Sequence, residues 1–159
     1  MDIEKSPPIS DMDKKNAETL KNKGNDFFKK EDYESAIEYY SKAISLNPQE
    51  ASYYCNRAAC YMKLKSYNKC LEDSDAAIKL DEKYSKAYRR KAQAYVGIGN
   101  LHLAKLTFEK AITAVPNDKD IAKDFKNAKQ AEYYFNGIDS SIERGEFNTA
   151  LDYISKVEA

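Results

Sequence analysis

Small and apolar side chains return along this chain at a fixed interval. Written in blocks of 34 residues from Ala17, the sequence aligns with itself as 17–50, 51–84 and 85–118. The first block carries Leu20, Gly24, Phe27, Ala36, Tyr40, Ala43 and Pro48 at its marker positions. The second carries Tyr54, Ala58, Tyr61, Cys70, Ser74, Ala77 and Glu82, and the third Tyr88, Ala92, Tyr95, Ala104, Phe108, Ala111 and Pro116. Within each block these residues recur at helical spacing, which predicts two antiparallel helices. The turns between them fall at Lys30-Glu31-Asp32, Lys65-Ser66 and Gly99-Asn100. The small residue at block position 8 (Gly24, Ala58, Ala92) lets the paired helices approach closely. The aromatic three residues later (Phe27, Tyr61, Tyr95) is expected in the core. Pro48 and Pro116 each close a second helix, because proline cannot continue the hydrogen-bond ladder.

Residues 1–13 carry Pro7, Pro8 and alternating charge with little to bury, and read as a flexible tail. Helix is expected from near Lys14 to Ala17. After Asp118 the pattern changes: Ile121, Phe125, Ala128, Ala131, Tyr134, Phe135 and Ile138 predict one long helix from about Ile121 to Arg144, capping the third block. Gly145, Phe147, Ala150 and Ile154 then resemble the turn and second helix of a partial fourth block. That block reaches Ala159 without its closing turn, which suggests a longer protein.

A 34-residue period of this kind resembles that of the tetratricopeptide repeat. The resemblance implies an all-α fold, a right-handed superhelix of antiparallel helix pairs: a tail over 1–13, three repeats within 14–118, and a capping helix with a partial fourth repeat over 119–159.

Charge enters only by position. Lys and Arg number 26 and so do Asp and Glu, which removes bulk attraction to nucleic acid or an anionic membrane. No apolar run is long enough for a bilayer span and the N-terminus lacks the order of a secretory signal, so a cytoplasmic chain is expected. Cys55, Cys60 and Cys70 are odd in number and read as small buried hydrophobes in a reducing compartment. The single histidine, His102, lies too far along to complete a metal site with them. No phosphate-binding loop and no nucleophile-base constellation is present, so neither catalysis nor a cofactor is expected.

In such a superhelix the first helix of each pair lines the concave side, with block positions 2, 5, 6, 9, 12 and 13 facing the groove. They supply Lys21 and Asn25 from block one, Asn56 from block two, and Lys86 and Arg90 from block three. Both Lys21 with Asn25 and Lys86 with Arg90 are four apart and share a helix face. Three cations and two amides, read with no acid at the same positions, suit a carboxylate: Arg grips it at two points, Lys acts as a point charge, and Asn donates through its NH2. A chain end plus an Asp side chain would use all five. A second tier of Phe28, Ala59, Met62, Lys63 and Gln93 is expected to read the peptide upstream, with Phe28 and Met62 as an apolar wall and Lys63 meeting a glutamate.

The set Lys21, Asn25, Asn56, Lys86 and Arg90 matches the dicarboxylate clamp of tetratricopeptide co-chaperones. That resemblance implies binding of the C-terminal EEVD tails of the 70-kDa and 90-kDa heat-shock proteins. The stretches ASYYCNRAA and DFKNAKQAEYYFNGIDSSIERGEF are similar to the repeat region of J-domain tetratricopeptide co-chaperones, though no J domain or His-Pro-Asp signature is present here. The repeats of a serine/threonine phosphatase are similar around Asp118 to Asp120. Two alternatives stand beside the clamp: a scaffold holding an internal segment of another protein, and a regulatory repeat domain of a larger enzyme.

Overall fold

The computed structural model describes residues 8–158, and their regular elements are all helices. They are α1 (Asp11–Lys29), α2 (Tyr33–Leu46), α3 (Ala51–Lys63), α4 (Tyr67–Leu80), α5 (Ser85–Ile98), α6 (Leu101–Ala114), α7 (Lys119–Glu143) and α8 (Phe147–Glu158). Each helix packs on the next, so antiparallel pairs stack into a superhelix. No helix among the described residues is long and apolar enough to cross a membrane.

Small residues set the spacing of this stack. Ala36, Cys70, Ala104, Ala43, Ala77, Ala111, Ala58 and Ala92 are all fully buried, and Gly24 is buried with them. Facing Gly24 is the ring of Tyr40, and the same glycine-against-tyrosine contact recurs as Gly97 with Tyr67 and Gly137 with Tyr153. The apolar core is therefore a string of small clusters along the stack, such as Ala36, Tyr40 and Cys60, then Ala58, Cys70 and Ala94, then Tyr88, Phe108 and Ile121. Phe27, Tyr61 and Tyr95 depart from expectation by being only half-buried. The space beside the small residue at block position 8 is taken instead from the second helix, by Tyr40 in the first block and Phe108 in the third.

One polar link ties three helices together. Arg57 of α3 donates through Nε (2.8 Å) and Nη2 (2.7 Å) to the buried carboxylate of Asp73 on α4, and through Nη1 (2.8 Å) to Ser41 Oγ on α2. Such a two-point guanidinium pair fixes both distance and rotation.

The helix ends explain two differences from the sequence reading. Helix α1 starts at Asp11, before the expected onset near Lys14, because Ser10 caps it by accepting from the Asp13 amide at 3.0 Å. Residues 11–13 of the expected tail are thus helical, and residues 1–7 lie outside the described residues. Helix α7 starts two residues before Ile121, with Asp118 Oδ1 accepting from the Asp120 and Ile121 amides at 3.0 Å each. The turn inside each of the four pairs passes through a left-handed residue: Glu31 (φ 61°), Lys65 (φ 55°), Gly99 (φ 86°) and Gly145 (φ 73°). Only the two glycines take that conformation without a steric cost.

Helix α7 is 25 residues long against 14 for α5. Its first half covers the third pair through Ile121 and Ala128. Its second half runs on past the α5–α6 turn and carries α8, with Gly137 beneath the Tyr153 ring.

Candidate functional site

Helices α1, α3 and α5, the first of their pairs, carry the five donors predicted from the sequence. The most constrained is Asn25. Its Oδ1 accepts from the Tyr40 hydroxyl at 2.7 Å and from Asn56 Nδ2 at 3.3 Å. Burial pushes the Tyr40 pKa far above its ordinary value, so that hydroxyl remains a donor. With its oxygen occupied twice, Asn25 keeps its NH2 as the group available to a ligand. Gly24, one residue earlier, sets how closely Tyr40 approaches, and so the core of the first pair positions a groove residue.

Asn56, Lys86 and Arg90 line one pocket of about 270 Å³ with Cys55, Arg89 and Gln93. No acid lines it. Arg90 is half-buried and donates through Nη1 to Gln93 Oε1 at 3.2 Å, while Lys86 is exposed. Cys55 records the local field: burial pushes its thiol up to about 11, while Arg90 and Lys86 pull it down. Arg89, at block position 5 but outside the predicted set, spends its charge on α7. Its Nε lies 2.8 Å from Asp124 Oδ2 and its Nη1 3.5 Å from Asp120 Oδ2.

Lys21 stands apart from this pocket. It lies one turn before Asn25 on α1, and its ammonium is bonded to the Glu18 carboxylate. This corrects the expectation of an acid-free set, because Glu18 occupies block position 2, itself a groove position. Glu18 also accepts from the Tyr53 hydroxyl at 3.4 Å, which holds it beside the groove.

The second tier divides. Gln93 belongs to the cationic pocket. Phe28 packs edge-on against Tyr33, with ring centres 5.4 Å apart, and Met62 packs on the cluster of Ala58, Cys70 and Ala94. Both are half-buried between helices, Ala59 is buried at 8 % exposure, and Lys63 is exposed in the last turn of α3. An apolar wall built from Phe28 and Met62 is therefore mostly committed to packing.

Comparison with known proteins follows the same register. The family described as "Tetratricopeptide repeat" matches residues 17–50, 51–84 and 85–118. The chain belongs to the tetratricopeptide repeat family. Among curated proteins with such repeats, serine/threonine-protein phosphatase 5 of Mus musculus is 40% identical over 113 residues, spanning 71% of this chain and 23% of the phosphatase. DnaJ homolog subfamily C member 7 of Homo sapiens is 33% identical over 138 residues, spanning 87% of this chain and 28% of that protein. The chain thus matches only about a quarter of the length of either relative. Among solved tetratricopeptide structures, the first such domain of Spaghetti (RPAP3) bound to the HSP90 peptide SRMEEVD is 31% identical with a TM-score of 0.70, covering 76% of this chain and 98% of that one. The second domain of human RPAP3 in complex with the HSP70 peptide SGPTIEEVD is 36% identical with a TM-score of 0.65, covering 71% and 94%.

Proposed function

We propose that this chain is a non-catalytic adaptor module that captures the free C-terminal carboxylate end of EEVD-type tails, those of the 90-kDa and 70-kDa heat-shock chaperones, in its cationic groove. The observation that carries the reading is the acid-free pocket in which Asn56, Lys86 and Arg90 converge. Arg90 supplies a planar two-point grip, Lys86 a mobile point charge, and Asn25 and Asn56 the amide donors. Lys21 completes the set by turning from Glu18 toward the ligand. The tetratricopeptide structures solved with SRMEEVD and SGPTIEEVD support this choice of ligand. A cytoplasmic location fits three buried free thiols, whose burial raises Cys60 to about 12 and Cys70 to about 11.

The test is calorimetric titration with SRMEEVD of the wild type, Arg90→Ala and Lys86→Ala. A charge-assisted hydrogen bond contributes about 1.5–3 kcal/mol, so each variant should bind at least about tenfold more weakly. Wild-type affinity in both variants would remove the reading.

A further inference from the structure

The fourth helix pair leaves open a face that the first three pairs cover. With the fourth block counted from Ala131, Gly145 takes block position 15, where Glu31, Lys65 and Gly99 make the left-handed turn. Ala150 then aligns with Ala36, Cys70 and Ala104, and like them it is buried. Four other positions of the second helix part company. Ile154 aligns with Tyr40, Ser74 and Phe108, and Val157 with Ala43, Ala77 and Ala111, all six of them buried. Phe147 aligns with Tyr33, Tyr67 and Leu101, and Leu151 with Ile37, Leu71 and Lys105, all half-buried. On α8 the four are exposed, at 66 % for Phe147, 61 % for Leu151, 38 % for Ile154 and 40 % for Val157.

In the earlier pairs the following helix supplies the cover. Cys60 of α3 packs with Tyr40, Ala87 of α5 with Ala77, and Ile121 of α7 with Phe108. Among the described residues α8 packs on α7 alone. Phe147, Leu151 and Ile154 have the spacing of one helix face, beside the Ala150 and Tyr153 side that meets α7. The helix therefore carries two apolar stripes and buries one.

The two ends of the stack differ. On α1 the exposed residues include Lys15, Thr19, Asn22, Lys23 and Asp26, and Met12 is its one exposed large apolar side chain. A polar outer face of that kind closes a helix stack against water. It also offers α8 of another molecule little apolar surface to cover, so head-to-tail stacking would leave the stripe wet. An isologous contact of α8 with α8 hides it in both copies at once.

Charge permits that contact. Asn148 and Ser155, three and four residues from Leu151, border the stripe and are exposed and uncharged. The stripe can thus meet its own image without setting like charges against each other. Antiparallel about Leu151 it is self-complementary: Leu151 meets Leu151, and Phe147 lies opposite Ile154, each roughly 5 Å along the axis from the centre. At about 200 Å² for a whole large side chain, the four exposures amount to roughly 400 Å² of apolar area per copy. With interfaces about 60 % apolar, the footprint is roughly 650 Å² per copy and roughly 1,300 Å² in total, inside the range of specific interfaces.

We propose that α8 is a self-association surface, through which two copies of this chain pair antiparallel by Phe147, Leu151 and Ile154 into a two-fold dimer. The groove residues lie on α1, α3 and α5, so each copy keeps its own groove and the dimer holds two. The pairing does not depend on what the groove binds.

The experiment is sedimentation equilibrium of the wild type, Leu151→Asp and Met12→Asp, after circular dichroism has established that each variant is folded. Interfaces at the small end associate in the micromolar range, so the wild type should pass from monomer to twice that mass, and no further, between about 1 and about 500 μM. Leu151→Asp places a carboxylate in the centre of the contact twice over and should stay monomeric throughout, whereas Met12→Asp should dimerise as the wild type does. With an uncharged rim, the dimer should change less than about twofold between about 50 and about 500 mM salt. Leu151→Cys should form a reducible cross-linked dimer under mild oxidation, the three native thiols being buried. A wild type that stays monomeric would overturn the proposal and leave the stripe to a helix of another protein. A dimer that survives Leu151→Asp would overturn it by placing the contact elsewhere, and growth beyond the dimer that Met12→Asp stops would overturn it in favour of head-to-tail stacking.

Discussion

Replacing Gly24 with alanine tests how the core positions the groove. A Cβ at that site would lie 2.7 Å from Tyr40 Cε1, 2.8 Å from Cδ1 and 3.1 Å from Cζ, where ordinary contact begins at 3.4 Å. Tyr40 has little room to yield: it is 2 % exposed, packs with Ala36 and Cys60, and is anchored by its hydroxyl to Asn25 at 2.7 Å. Two effects oppose each other. Alanine improves helix propensity by about 1 kcal/mol over glycine, whereas overpacking a buried site costs about 1–3 kcal/mol. The clashing atoms are the body of a buried ring rather than the end of a flexible chain, which places the cost in the upper half of that range. The net prediction is a loss of about 1–2 kcal/mol, measured by urea denaturation, with a fall in Tm of about 3–6 °C for a chain of this size. The displaced ring should also draw its hydroxyl from Asn25 and weaken peptide binding. A Gly24→Ala variant as stable as the wild type, or more so, would refute the reasoning.

Three further outcomes follow from the same geometry. Tyr40→Phe keeps the ring and removes one hydrogen bond, so stability should fall by about 1 kcal/mol and EEVD-peptide affinity by a few-fold in titration; unchanged affinity would mean that Asn56 alone orients Asn25. Glu18→Gln frees Lys21 and removes an anion from the groove, so affinity should rise up to about fivefold at low salt, the gain fading as salt is added. Lys65→Gly relieves a left-handed residue at a cost in unfolded-state entropy, and should raise stability by roughly 0.5 kcal/mol in thermal unfolding; a loss would show that the Lys65 side chain makes a stabilising contact.

Much of the fold is legible because its determinants are local and periodic. Ala36, Cys70 and Ala104 recur at one spacing and Ala43, Ala77 and Ala111 at another, and burial at those spacings defines a helix stack before any tertiary detail is known. The onset of α1 is not legible from periodicity because Asp11 to Asp13 carry no apolar period, although Ser10 followed three residues later by Asp13 is the polar signature of a helix start. Block position 8 located a core site but could not say which aromatic fills it, since that depends on a residue from the partner helix. The cations and amides of the candidate site were legible as far as Asn56, Lys86 and Arg90 sharing one pocket, because block positions convert directly into helix faces. Glu18 and Arg89 occupy such positions too, yet the pairing of Glu18 with Lys21 depends on side-chain conformation, and that of Arg89 with Asp120 and Asp124 on how α7 lies across α5. The overhang of α7 was not legible for the same reason: it is a comparison of two helices, 25 residues against 14, that no local pattern contains.

The central claim is that the groove recognises a chain end. Its most direct test is titration of the wild type with SRMEEVD as the free acid and as the C-terminal amide, at one salt concentration. The amide keeps every side chain and loses only the terminal charge, so the account predicts binding at least about tenfold weaker, the loss of one charge-assisted contact. Equal affinity for the two peptides would contradict it and favour a groove that holds an internal segment.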